Sequence, residues 1–370
     1  MSVTQKCAAV VVGAGPAGLA VVGNLLERQV GKVAWIDPYF QSGRVNRKYR
    51  EVPSNTKVAL FKAYATAVQP FRTVIKNTPS PSPFTTLEKL DPNKTCHLHH
   101  AGDMVRALSE DINLDGPHQT PRLQTRGELN LHTPRLVLCT GASPTTAPLP
   151  VRDSNIKTLD LDTVLKPSDL MSELPRSEPT TVAVVGASHS AILALLNLLD
   201  LARSTHPHLR IKWFTRHALR YAEYMDGWIL RDNTGLKGLA AEFARTQLED
   251  EALPTSDAGR YITKVDCSAG KETAQFQTHL PACQFVVQAV GFRNDPLPQL
   301  SRDGHPLGEP QFDHESGTFS DARGGALPGL FGAGIAFPER VVDPYGNVEM
   351  AVGFWKFMRF VQRVCPLWVE

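Results

Sequence analysis

Residues 182–199, VAVVGASHSAILALLNLL, and residues 8–26, AAVVVGAGPAGLAVVGNLL, follow one plan: an apolar run, a glycine turn, then apolar residues at helical spacing. The fold turns on whether the later stretch is a second nucleotide site or a buried strand and helix that meet at a glycine. In the earlier stretch Cys7 to Val12 is valine-rich and continuous, as a parallel strand buried on both faces requires. Gly13 permits the tight turn, Gly15 lets backbone approach a pyrophosphate across Pro16 and Ala17, and Gly18 lets the helix close on the strand. The free N–H groups and dipole at the helix start suit an anion. A second strand, Lys32 to Ile36, ends at Asp37, near the roughly 20-residue offset at which an acid takes a ribose hydroxyl.

A chain of 370 residues suits two domains at about 150 residues each. Its composition, 42% hydrophobic and 21% charged with a formal charge of +2, contains no long charged run, and a nucleic-acid partner is not expected. The longest apolar stretch, Ala191 to Ala202, is broken by Asn197 and Asp200 and is shorter than the roughly 18 residues of a membrane span. Only MSVTQK precedes the first strand, so no signal peptide is read and a cytoplasmic location is expected. Cys7, Cys96, Cys139, Cys267, Cys283 and Cys365 are scattered, with no C-x-x-C pair, which disfavours disulfide redox chemistry.

Strand, glycines, helix, strand and acid together resemble the FAD-binding, two-dinucleotide-fold flavoproteins, and the resemblance covers nearly the whole chain. It implies an α/β fold with two Rossmann-like domains of the glutathione-reductase type. An FAD domain of residues 1–150 and 291–370 would carry an inserted nicotinamide domain of residues 175–290. The linking strands would be RLVLCTGASP (Arg135 to Pro144, with Thr140 and Gly141 at the cofactor) and QFVVQAVGFRNDP (Gln284 to Pro296). LPGLFGAGIA (Leu327 to Ala336) resembles the late flavin-contacting strand, bringing Gly334 and Ile335 to the ring. Ile335 stands where many relatives carry Asp, so backbone N–H groups would replace that contact. Tyr345 to Glu349 is expected to open the final helix, with Asn347 and Val348 at its N-terminus facing the flavin.

In the later stretch Gly186, Ser188, Ser190 and Ala191 resemble the G-x-[GS]-x-S-[AG] motif of NADPH-dependent flavin monooxygenases. Its next strand, Arg210 to Phe214, is followed by Arg216 rather than a carboxylate, which favours the 2′-phosphate of NADPH over NADH. The alternative is a degenerate fold that binds nothing. Arg50 to Lys57, REVPSNTK, resembles the N-[TSL]-x-K segment beside the isoalloxazine. It would place Asn55 at the reacting edge with Ser54, Thr56 and Lys57 on the cofactor; the alternative is a turn capping a helix near Lys57.

Other polar features invite less. His97 and His99 would share a strand face, and no metal site is read in CHLHH. Glu339, Arg340 and Asp343 either line a substrate pocket or form a charged loop, and residues 77–84 form a surface loop. Tyr221, Tyr224 and Trp228 are expected to pack on Leu236, Leu239 and Phe243. The apolar residues of Phe354 to Trp368 would enter the core or a homodimer contact.

The resemblance implies NADPH reduction of FAD and a monooxygenase that acts on a small organic substrate through a flavin hydroperoxide. Reductase, oxidase and redox-neutral chemistry stay open. The F-x-G-x3-H-x3-[WY] signature of the named monooxygenase classes is absent from Ile156 to Leu170, and residues 114–135 leave little room for the excursion that relatives make longer.

Overall fold

The computed structural model describes residues 4–112, 122–123, 130–151 and 155–370, so most of the short 114–135 excursion lies outside the described residues. Its principal elements, in chain order, begin with β1 (Ala9–Val12), α1 (Pro16–Glu27), β2 (Val33–Ile36), β3 (Leu136–Leu138), β4 (Lys157–Leu159) and β5 (Thr180–Val185). They continue with α2 (His189–Ser204), β6 (Leu209–Thr215), β7 (Ile262–Asp266), α3 (Glu272–His279), β8 (Phe285–Gln288), β9 (Ala326–Gly332) and α4 (Phe354–Val369). The contact pattern divides the chain into one unit of residues 1–47, 56–143 and 294–370 and another of residues 48–55 and 144–293.

In the first unit β1 lies between β2 and β3, with all three parallel: Val10 pairs with Ala34 on one side and Leu136 on the other. The sheet extends through β9 to two short antiparallel strands, and past β2 to Arg122–Leu123. Valine-rich strands suit this doubly covered position because β-branched side chains pack on both faces of the pleat. The core gathers Trp35, Phe61, Tyr64, Phe71 and Phe360, each fully buried. The helix α4 supplies much of it, burying Phe354, Phe357, Met358, Phe360, Val361, Val364, Cys365 and Trp368. The apolar stripe of α4 therefore belongs to this unit's own core. Arg135 closes the end of α4, donating from Nε to the Trp368 carbonyl (2.7 Å) and from Nη2 to that of Val369 (2.9 Å), which satisfies acceptors a helix end leaves open.

The second unit holds five parallel strands in the order β4, β8, β5, β6, β7. The run Val182 to Val185 is buried, as are Trp213 and Phe214 on β6. Phe214 stacks on Phe276 of α3 at 4.9 Å between centroids and 5° between planes, fixing that helix to the sheet.

Several expectations are corrected. Tyr345 to Glu349 does not open the last helix: Val348–Ala351 pairs antiparallel with Glu339–Val342, and α4 starts at Phe354 after Gly353, whose φ is +146°. The Pro-Tyr-Gly sequence makes a turn instead, with Asp343 accepting from the N–H groups of Tyr345 (2.9 Å) and Asn347 (2.8 Å). His99 and His100 lie in the first turn of a helix, Leu98–Asp111, not on a strand with His97, which ends Thr95–His97. Tyr224 does not pack inward; it is exposed.

Candidate functional site

The two glycine turns are wired alike. Gly13 N–H donates to the Ile36 carbonyl (2.7 Å) and Gly186 N–H to that of Phe214 (3.0 Å). From the third strand of each fold, Cys139 N–H reaches the Val12 carbonyl and Ala289 N–H that of Val185, both at 2.8 Å. The indole of Trp35 donates to the Gly13 carbonyl at 2.8 Å, and the indole of Trp213 to the Gly186 carbonyl at 2.7 Å. Each first glycine needs positive φ, +109° at Gly13 and +131° at Gly186. A Cβ there would sit 2.2 Å from the Cys139 carbonyl oxygen or 2.5 Å from that of Ala289. The second turn thus repeats the backbone and tryptophan hydrogen bonds of the first. The sequence reading missed both tryptophans, because an aromatic in a buried strand reads simply as core.

At the first turn the remaining glycines divide by cause. A Cβ on Gly18 would lie 1.9 Å from the Gly13 carbonyl oxygen, so helix and turn exclude it. A Cβ on Gly15 would meet nothing nearer than Gly43 Cα at 3.8 Å, an ordinary contact. No protein atom within 3.8 Å explains why position 15 lacks a side chain, and the space beside it would admit a phosphate. Gly15 also precedes α1 without any side-chain cap, leaving the first N–H groups of the helix to another acceptor.

Asp37 holds the turn together. Its Oδ2 accepts from Ala14 N–H at 2.7 Å, while Oδ1 accepts from Tyr39 and Phe40 N–H at 2.7 and 2.8 Å. A carboxylate offers about four acceptor sites, so one remains for a ribose hydroxyl. Two buried hydroxyls nearby, Ser42 Oγ and Thr140 Oγ1, make no hydrogen bond, an arrangement that costs free energy unless a ligand supplies the partner. Ser42 is fully buried, stands at φ +59° and adjoins Gly43, which approaches Gly15. A lone serine in FQSGR carries no pattern, and the sequence reading passed over it.

The late strand closes on the same turn. A Cβ on Gly334 would lie 2.6 Å from Ala17 Cβ, so Gly334 and Ile335 abut the start of α1. Beside Thr140, Gly141 takes φ +88°, and the Ser143 hydroxyl donates to Asp295 while accepting from Arg44. Thr56 and Lys57 belong to this unit, and Ser54 and Asn55 to the other, all on the strand Pro53–Lys57. Ser54 is buried and Asn55 exposed. The helix that follows, Val58–Ala65, has Lys57 in the capping position and no side-chain cap, so the capping alternative is not found. Asn347 and Val348 sit on an exposed hairpin, and the helix-terminus argument that brought them to the flavin fails.

The second turn opens on a cavity of 320 Å³ lined by Gly186, Ser188, Arg216, Arg220, Glu272 and neighbours. Ser188 stands before α2 with no cap hydrogen bond, and Ser190 lies in its first turn. His189 is held neutral: burial, aided by Lys237, pulls it down to about 4, and its Nδ1 has no partner. Arg216 follows β6 and lies 3.6 Å from Glu272, a carboxylate that arrives from α3 and that strand-end reasoning did not anticipate.

All six cysteines are free. Burial pushes Cys139 up to about 12, and Cys96 and Cys267 to about 11, so these thiols stay protonated and unreactive. Among the described residues no cluster of His, Cys, Asp and Glu could hold a metal ion, and no helix is long and apolar enough to cross a membrane.

Comparison with known proteins agrees with this geometry. Residues 8–204 match the family described as pyridine nucleotide-disulphide oxidoreductase. Monooxygenase AgnR1 of Paecilomyces divaricatus is 64% identical over 391 residues, covering 100% of both chains. Among solved structures, the ornithine N-hydroxylase KtzI of Kutzneria sp. 744 aligns with TM-score 0.57 at 13% identity, covering 98% of this chain and 99% of that one. The bacillithiol disulfide reductase Bdr of Staphylococcus aureus aligns with TM-score 0.54 at 11% identity over the same shares. These distant structures share the fold: an α/β flavoprotein scaffold with two dinucleotide-binding folds. The chain belongs to the pyridine nucleotide-disulphide oxidoreductase family and is an oxidoreductase built on that scaffold.

Proposed function

We propose that this chain is an NADPH-dependent FAD monooxygenase acting on a small organic molecule. The observation that carries the reading is the duplicated wiring of the two glycine turns, each ahead of an uncapped helix. The unpartnered hydroxyls of Ser42 and Thr140 and the open side of Gly15 fit a dinucleotide at the first turn. The protein named Monooxygenase AgnR1, at 64% identity over the whole chain, supports the reaction class.

At the first turn Gly13, Gly15, Pro16, Ala17 and Gly18 would seat the FAD pyrophosphate on the N–H groups of α1. Asp37 would accept a ribose hydroxyl, and Thr140, Gly141, Gly334, Ile335, Thr56 and Lys57 would complete the cradle. At the second turn Gly186, Ser188 and Ser190 would seat the NADPH pyrophosphate, and Arg216 would pair with the 2′-phosphate. Asn55, exposed on its strand, is the amide we assign to orienting the reacting edge. The chemistry that bound FAD would supply is redox transfer from NADPH to dioxygen, by which one oxygen atom would enter the substrate and the other would leave as water.

The test is spectroscopic, then isotopic. Purified protein should carry flavin absorbance that NADPH bleaches without oxygen, and isotopically labelled dioxygen should leave one labelled atom in the product of an accepted substrate. Full release of the consumed oxygen as hydrogen peroxide with every substrate tried would overturn the monooxygenase reading, and flavin indifferent to NADPH would overturn the coenzyme assignment.

A further inference from the structure

We propose that Glu272 sets the coenzyme preference of the second unit by holding the Arg216 guanidinium, so that a 2′-phosphate must displace a resident carboxylate that an unphosphorylated ribose can use. This deepens the coenzyme reading above and rests on it. In the first unit the strand end carries Asp37; at the matching place in the second stands Thr215, whose hydroxyl is turned to the His217 carbonyl at 2.8 Å. The acid absent from that strand end is supplied from elsewhere. Arg216 Nη1 and Glu272 Oε2 lie 3.6 Å apart on the wall of the same 320 Å³ cavity as Gly186 and Ser188.

The pairing is built into the fold. Phe214, two residues before Arg216, stacks flat on Phe276, one turn after Glu272, so the strand end and the helix start are clamped at a set distance. Glu272 opens α3, where the helix dipole favours a negative side chain. Two guanidinium groups, Arg216 and Arg220, and one carboxylate, Glu272, therefore share the cavity wall. A phosphate brought there gains the guanidinium groups and meets the repulsion of the carboxylate. A free 2′-hydroxyl loses the phosphate contacts but finds an acceptor in Glu272.

The side chains of Arg216 and Glu272 are 58% and 40% exposed. Solvent screening limits an exposed pair to a few-fold effect, and removing the carboxylate charge should tighten 2′-phosphate binding by about 3- to 5-fold. The probes are 2′,5′-ADP and 5′-AMP, titrated calorimetrically into flavin-loaded protein. Their affinity ratio cancels any general structural loss, because the two differ by one phosphate. Glu272→Gln should raise the preference for 2′,5′-ADP by about 5-fold; Glu272→Asp, which keeps the charge, should stay nearer the parent ratio. Arg216→Gln should lower the preference by roughly 10-fold or more. An unchanged ratio in Glu272→Gln beside a collapsed ratio in Arg216→Gln would overturn the proposal and leave the coenzyme reading standing. Failure of the unaltered protein to bind either probe would sink the coenzyme reading itself, and the proposal with it.

Discussion

Replacing Gly15 by alanine should separate folding from flavin binding, which few changes in a glycine turn can do. The added Cβ would meet only Gly43 Cα at 3.8 Å, and the backbone at φ −80° already suits an L-residue. Alanine is a poorer residue before a helix than glycine by about 0.5–1 kcal/mol. It also stiffens the unfolded chain, a gain of about 0.4–1 kcal/mol. The apoprotein should therefore change by less than about 1 kcal/mol. The methyl group would occupy the side from which a pyrophosphate reaches the N–H groups of α1, and a 100-fold loss of FAD affinity, about 2.7 kcal/mol, is expected. At free FAD of 100 times the parent Kd, ligand stabilisation should fall from about 2.7 to about 0.4 kcal/mol. That difference lowers the FAD-induced rise in Tm by roughly 3 °C for a chain of 370 residues. Melting curves of apo and FAD-supplemented protein would measure both terms. An FAD-induced rise equal to the parent's would refute the reasoning, as would an apoprotein that no longer folds. By contrast Gly18→Ala, whose Cβ would sit 1.9 Å from a carbonyl oxygen, should damage the apoprotein directly.

Other outcomes follow from contacts already described. Trp35→Phe and Trp213→Phe each strip the donor from a turn carbonyl and should cost about 1–3 kcal/mol in urea unfolding. The first should weaken FAD and spare 5′-AMP at the second turn, the second the reverse; equal damage to both ligands would refute independent turns. His189 is neutral in the folded protein down to about pH 4, whereas an unfolded histidine protonates below about 6.5. Its contribution to stability is therefore complete above pH 6.5 and is lost as pH falls toward 4, by up to ~3 kcal/mol. A His189→Gln variant should flatten stability across that window, and a pH profile parallel to the parent's would count against the buried neutral imidazole.

What could be read from the sequence was what local sterics dictate. Gly13, Gly18 and Gly186 are confined by carbonyl oxygens or positive φ, so their spacing betrays the turn. The segment at Tyr345 misled because the resemblance set the start of the final helix there, yet Asp343 captures the N–H groups of Tyr345 and Asn347 and folds a hairpin. Ser42 was invisible because its meaning lies in burial without a partner. Glu272 escaped because it meets Arg216 across 56 residues, through two stacked phenylalanines rather than any motif.

The covering of α1 by α4 has a consequence for synthesis on the ribosome. The first glycine turn is made long before α4, so Asn24 and the part of α1 that α4 covers wait for Met358 and its neighbours. At about 5–20 residues per second, the interval from Glu27 to Phe354 lasts roughly 15–65 s. During that time residues 144–293 emerge as one uninterrupted stretch of the second unit, while the face of α1 that α4 covers stays open to chaperones. Nascent chains halted before Phe354 should be the ones most readily captured or degraded.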